Sequence, residues 1–122
     1  MRDIADQKLG AGIIRRTKDA FMTDVVLSKQ DIPIRLSDER WSHITEEHCE
    51  LSGMRLDILE TVANPLRIVA GQMGECLAIR EIQPGKYLVV VYRELIADGF
   101  VITAFLTRRI KTLDRRILIW PT

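Results

Sequence analysis

The sequence predicts an α+β domain in which two N-terminal helices pack on an antiparallel meander sheet of four to five strands. Apolar residues recur at helical spacing between residues 37 and 63, and the period changes to two from residue 66 onward. Short links that contain glycine or proline separate the later strands. Short links favour antiparallel pairing of consecutive strands, and 122 residues suffice for one domain.

The first thirty residues carry the weakest pattern. Gly10 and Gly12 would interrupt any helix, and the isoleucines that follow them have no regular spacing. We therefore predict a poorly organised arm over residues 1–30 and a folded domain over residues 31–122. Met1 and Met22 are both candidate start residues. Short extended pieces are expected at residues 25–27 and 32–36.

Two helices follow this arm. Ser37 suits the N-cap of a helix over residues 37–48, because its hydroxyl can accept a hydrogen bond from a free backbone N–H. The apolar stripe of that helix consists of Trp41, Ile44, His48 and Leu51. A second helix is predicted from Met54 to Ala63, since the residue before Pro65 disfavours the helical conformation.

Five strands are predicted after the helices, at residues 66–70, 75–82, 87–95, 100–108 and 116–120. Pro84 and Gly85 occupy the two central positions of a predicted type II turn between the second and third of them. The valines at 89–91 favour a central position in the sheet, buried on both faces.

Charge and composition limit the function only loosely. The net charge is +1, but residues 37–60 hold seven acidic and two basic residues, whereas residues 80–122 hold eight basic and four acidic ones. A basic pole favours a polyanion or an acidic partner, although solvated surface charge explains it equally well. No run of ~20 apolar residues and no secretory signal is present, so we expect a cytoplasmic protein without a membrane partner.

The two histidines are the first candidates for chemistry. On a regular helix His48 lies within the apolar stripe and faces the sheet, whereas His43 lies on the other side between Glu39 and Glu47. Each also has a non-catalytic explanation: His48 as a core histidine bonded to backbone, and His43 as a surface histidine paired with a glutamate.

The strands supply a candidate cation. Arg80, Thr103 and Thr107 are expected on the sheet face that the helices leave free, and an arginine fork fits a phosphate. Threonines in strands are also simply good strand formers. The cysteines Cys49 and Cys76 show no zinc-type spacing with the histidines, and no nucleotide-binding loop is present, so we predict neither metal nor cofactor.

Several segments together resemble a known family. They are residues 34–44, His48, Asn64-Pro65, residues 87–92, residues 100–104 and Thr107. The sequence over about residues 34–120 resembles a phage- and bacteria-associated family of the barnase/EndoU/colicin/RelE-like nuclease fold. The chain departs from its pattern at Cys49, where the family usually has proline, and at Asn64, where aspartate is common.

The resemblance implies a toxin-like, metal-independent endoribonuclease or RNA-binding domain, with RNA or tRNA as its partner. An imidazole would take the proton of the attacking 2′-hydroxyl, and Arg80 would stabilise the developing charge. The catalytic candidates are His48, His43, Arg80 and Thr103, and the substrate-binding candidates are Tyr92, Thr107 and Arg108. An antitoxin or immunity protein and a second copy of the chain are further expected partners. The alternative is a non-catalytic protein-interaction module of the same fold, which the departure at Cys49 and the near-neutral charge favour.

Overall fold

A computed structural model describes residues 7–9, 12–17 and 23–122 of the chain. The elements follow in the order β1 (Gln7–Leu9), β2 (Gly12–Thr17), β3 (Thr23–Leu27), β4 (Pro33–Ser37), α1 (Asp38–Glu47), a 3-10 turn (Cys49–Leu51), α2 (Arg55–Ala63), β5 (Arg67–Ala70), β6 (Cys76–Gln83), β7 (Lys86–Glu94), β8 (Gly99–Thr107), a second 3-10 turn (Ile110–Leu113) and β9 (Leu118–Trp120).

The strands form one mixed sheet in the order β1-β2-β3-β4-β8-β7-β6-β5-β9. Strands β5 to β8 make an antiparallel meander. The meander returns beside β4, and β8 runs parallel to β4 with Ile34 opposite Gly99. Within residues 23–122 the sheet has seven strands.

The predicted architecture is therefore wrong, although the α+β class holds. The helices are preceded by strands that belong to the sheet, the sheet is larger and mixed, and β9 pairs with β5 instead of extending the meander from β8. Strands β3 and β4 are only five residues long, so the alternation of buried and exposed residues in each is a weak signal for a sheet strand. Pro33 occupies the first position of β4, where a missing N–H is tolerated even though the strand is internal.

The expected poorly organised arm over residues 1–30 is described only in part. Residues 1–6, 10–11 and 18–22 lie outside the described residues. Strand β3 falls within the expected arm, yet it pairs with β4 along five positions and its Val26 is buried in the core. The folded part of the chain thus extends upstream of residue 31.

Two apolar clusters pack against the sheet, one on each face. The main core lies on the helix side, where α2 contacts β3 as well as β6 and β7, so the sheet curls around this helix. The second, smaller cluster lies on the opposite face under the second 3-10 turn. It comprises Val69, Leu77, Ile79, Val89 and Leu113. No helix among the described residues is long and apolar enough to cross a bilayer.

An extra residue in β8 decides which of its side chains face the helices. Val91 pairs with Thr103 and the next residue, Tyr92, pairs with Val101, so Ile102 is an extra residue in the ladder. Val101 consequently joins Ala104 on the helix side. Regular alternation along β8 would place Val101 on the face of Thr103, and the bulge moves it to the opposite face.

Gly99 allows β8 to enter between its two neighbours. A Cβ at this position would lie 2.2 Å from the carbonyl oxygen of Arg93 and 2.7 Å from Cδ1 of Ile34. No side chain fits at that distance, so the β7–β8–β4 arrangement depends on glycine at this position.

Candidate nucleic-acid interface

A pocket of about 230 Å³ opens where β3, β4, β8 and the start of α1 meet. Its lining residues are Thr23, Arg35, Ser37, Arg40, Phe100 and Val101. The lining residues thus include two arginines, a serine, a threonine and a phenylalanine.

The alternation of β4 places Arg35 and Ser37 on the same face of the sheet. Ile34 and Leu36 are fully buried in the main core, so Arg35 and Ser37 face the other side. Phe100 lies opposite Arg35 in the parallel pairing with β8. Thr23 lies opposite Ser37 in the antiparallel pairing with β3, and it belongs to the same pocket.

Helix α1 contributes the second guanidinium. Ser37 is the N-cap of this helix, and its hydroxyl accepts a hydrogen bond from the backbone N–H of Arg40 at 3.1 Å. Arg40 lies in the first turn and is exposed. The junction between β4 and α1 therefore determines where Arg40 lies relative to Arg35.

Both guanidinium groups can bind an anion that enters the pocket. Arg35 forms an ion pair with Asp98, but both side chains are 45% exposed, and such surface pairs contribute only about 0–1 kcal/mol. A phosphate can therefore compete for Arg35. Among the residues from 23 onward, no carboxylate forms an ion pair with Arg40.

His43 lies one helical turn from Arg40. Residues three apart on a helix are surface neighbours, and both side chains are exposed. Glu39 and Glu47 stand four residues to either side of His43. His43 is therefore a surface neighbour of one pocket residue, Arg40.

His48 was predicted to face the core, but its side chain lies partly exposed at the end of α1. The helix ends at Glu47, and His48 is its C-cap, with φ −133° and its N–H donating to the carbonyl oxygen of Ile44 at 2.8 Å. Its side chain is 33% exposed, and Nδ1 lies 3.5 Å from Oε2 of Glu50. The predicted apolar stripe of α1 included Leu51, but a 3-10 turn begins at Cys49, and Cys49 is exposed.

Arg80 connects β6 to α2 on the helix-covered side. Its Nε donates to Oγ1 of Thr61 at 3.0 Å, and its Nη2 donates to the carbonyl oxygen and to Oδ1 of Asp57 at 3.3 and 3.2 Å. Thr61 is fully buried. The side chain of Arg80 thus holds the helix on the sheet.

Thr103 and Thr107 lie on the opposite face from Arg80. Thr103 pairs with Val91 and Thr107 with Tyr87, and these partners pack against the second cluster. The predicted common face for the two threonines and Arg80 is wrong, because the helices cover the very face that Arg80 occupies. Oγ1 of Thr107 accepts the N–H of Arg109 at 3.0 Å, and Arg108 is exposed.

Tyr92 is part of the main core. It is 1% exposed, and burial raises the pKa of its phenol. Burial likewise raises the pKa of the neighbouring Cys76 thiol. Both groups therefore stay protonated at neutral pH, and Tyr92 lies away from the surface on which a substrate was expected to contact it.

Of the predicted residues, His43 lies three positions after Arg40 on α1, and Thr103 lies two positions after Val101 on β8. The buried Tyr92 is the cross-strand partner of Val101. Thr103 follows Phe100 on the pocket side of β8, because the extra residue intervenes between them. Sequence reasoning missed Arg35, Arg40 and Phe100. The alternation of β4 indicates on which face Arg35 lies. No local sequence feature predicts that β4 pairs in parallel with β8, which brings Phe100 beside Arg35.

No group of three or more histidine, cysteine, aspartate or glutamate residues in the described part of the chain is arranged to hold a metal ion. Comparisons with protein-family models, with curated proteins and with solved structures each found no match.

Proposed function

We propose that this chain is an RNA-binding domain that holds the phosphate backbone of a single strand in the pocket between β4, β8 and α1. The main support for this proposal is that Arg35, Arg40 and Phe100 line the same pocket. Guanidinium groups match phosphate oxygens with a fixed fork of donors. An aromatic ring beside them can stack on a base, as single-strand-binding proteins commonly use.

The aromatic ring of Phe100 in the pocket lining favours a single strand over a duplex. Bases of unpaired RNA can be splayed out and stacked on protein rings. The hydroxyl of Ser37 accepts the backbone N–H of Arg40, and its own hydrogen can be donated to a phosphate or ribose oxygen. We further propose that the protein acts in the cytoplasm, which cell fractionation tests.

Fluorescence anisotropy with a labelled single-stranded RNA tests this proposal. Arg40→Gln should weaken binding about tenfold and lower the salt slope by about one unit, as loss of one phosphate contact does. Arg115→Gln, which removes the same charge from an exposed position after the second 3-10 turn, is the matched control and should leave binding unchanged.

Two results would contradict the proposal that RNA binds in this pocket. Equal losses for Arg40→Gln and Arg115→Gln would show diffuse electrostatic attraction without a site. Absence of RNA binding by the wild-type protein would overturn the proposal and favour the alternative of a protein-interaction module.

A second candidate function, metal-independent cleavage of the bound RNA, is favoured by the position of His43. Cleavage needs a group that removes the 2′-hydroxyl proton and one that protonates the leaving oxygen. The exposed imidazole of His43, one turn from Arg40, can take the 2′-hydroxyl proton as that oxygen bonds to phosphorus, while water protonates the 5′-oxygen that leaves.

Incubation of single-stranded RNA with the protein in EDTA tests this second function. The expected products carry 2′,3′-cyclic phosphate ends, and His43→Gln should abolish cleavage while RNA binding persists. An intact substrate after incubation with wild-type protein would reduce the function to binding alone. Growth arrest on expression would support the toxin-like character.

A further inference from the structure

Arg55 makes three contacts with the strands and the helix that build the pocket. Its Nε donates to Oδ2 of Asp24 at 2.9 Å, its Nη1 to Oδ1 of Asp38 at 2.6 Å, and its Nη2 to the carbonyl oxygen of Leu36 at 3.3 Å. The Arg55 side chain is 17% exposed and that of Asp24 is 1% exposed. One guanidinium thus joins α2 to β3, to β4 and to the first turn of α1.

These three partners flank the residues of the pocket. Leu36 and Asp38 stand on either side of Ser37, and Asp24 follows Thr23 in the chain. In the sheet, Thr23 pairs with Ser37 and Asp24 pairs with Leu36. The guanidinium itself is not among the groups that line the pocket.

We propose that Arg55 is a positioning residue that fixes the β3–β4–α1 junction so that Arg35 and Arg40 converge on one phosphate. This inference rests on the proposed RNA-binding function. Arg35 belongs to β4 and Arg40 to α1, so the separation of their guanidinium groups depends on the angle at which α1 leaves β4. The contacts of Arg55 span that junction on both sides, at Leu36 and at Asp38.

The fork geometry of arginine is essential to this role. Arg55 uses three different nitrogens for three acceptors that belong to two strands and one helix. A lysine is a compact point charge on a flexible stem and has no planar fork to match these acceptors. Arg55→Lys therefore keeps a counter-ion for Asp24 while it releases part of the junction.

Two variants and one control test the role. Arg55→Lys preserves the charge beside the buried carboxylate, and Asp38→Asn weakens only the contact with the helix. The matched control is Arg67→Lys, because Arg67 also joins a carboxylate, that of Asp114, but at the far side of the sheet. Each protein is compared with wild type by thermal unfolding, RNA anisotropy and the backbone amide NMR spectrum.

Arg55→Lys should weaken RNA binding about tenfold at a temperature where the protein is fully folded, and Asp38→Asn should weaken it less. The amide signals of Thr23, Ser37 and Arg40 should shift in both variants. Arg67→Lys makes the same substitution at a more exposed ion pair and should alter neither RNA affinity nor these amides. The comparison separates positioning of the pocket from a general effect of replacing arginine by lysine.

Wild-type affinity in folded Arg55→Lys protein would overturn the inference. The NMR readout decides it without RNA as well: unshifted pocket amides in Arg55→Lys mean that Arg55 does not position the junction. If wild type binds no RNA but the pocket amides still shift, the proposed function fails while the structural role of Arg55 stands.

Discussion

Arg80→Ala distinguishes a phosphate-binding role for Arg80 from its role in holding α2 on the sheet. The substitution removes one hydrogen bond to the buried Oγ1 of Thr61 and two longer ones to Asp57. Hydrogen bonds to charged groups contribute about 1.5–3 kcal/mol. Because the side chain of Arg80 is 26% exposed and that of Asp57 is 47% exposed, solvent screens the ion pair, and we expect a loss of about 1.5–2.5 kcal/mol in the free energy of unfolding.

Urea unfolding followed by tryptophan fluorescence measures this loss, and RNA anisotropy on the same samples measures binding. The account predicts a lower urea midpoint for Arg80→Ala at an unchanged slope, with RNA affinity and salt dependence as in wild type. The reasoning would be refuted by the converse, an unchanged midpoint together with weaker RNA binding and a flatter salt dependence, since that result would make Arg80 a phosphate contact.

Three further predictions follow from individual positions. Gly99→Ala should destabilise the protein by about 1–3 kcal/mol in urea unfolding, because its Cβ would overlap a neighbouring carbonyl, and a loss near zero would show that β8 can shift freely. His48→Gln should retain any RNA cleavage that His43→Gln abolishes, and loss of cleavage in His48→Gln alone would contradict this. Since burial raises the pKa values of Cys76 and Tyr92, stability should be unaffected at neutral pH and fall as pH rises above the ordinary thiol pKa of 9.0, less steeply in Cys76→Ala, and equal slopes for the two proteins would contradict it.

The local elements were predictable because their signals are local. Ser37 caps α1 as its position indicated, and α2 begins within one residue of the predicted start and ends at Ala63. Gly85 has a φ of +75° in the turn that joins β6 to β7, as a type II turn requires at its third residue. Capping and turn chemistry depend on a few adjacent residues, and the sequence displays them directly.

The assembly was not predictable by the same reasoning. Strands β4 and β8 pair although more than sixty residues separate them in the sequence. The periodicity of apolar residues cannot predict such a long-range pairing. The extra residue at Ile102 changes the face of the residues that precede it, and periodic alternation cannot detect a bulge. The pocket depends on the long-range pairing, which is why Arg35 and Phe100 were missed although both lie in segments predicted to be extended.

The end of α1 shows a third limit. Helical phase placed His48 on the apolar stripe, but that argument assumes that the helix continues past residue 48. The chain leaves the helix at His48 itself, and the imidazole lies beside Glu50 instead of in the core. An error of one or two residues in a helix boundary is ordinary, yet here it reverses the inferred position of a candidate catalytic group.

Titration of the isotope-labelled protein with a short single-stranded RNA, followed by backbone amide NMR, tests the central claim most directly. The account predicts that the largest shifts fall on the pocket residues Thr23, Arg35, Ser37, Arg40 and Phe100, with smaller shifts at His43 one turn along α1. Shifts concentrated instead around Arg80 and Asp57, or no saturable shifts at any RNA concentration, would contradict the claim that this pocket binds RNA.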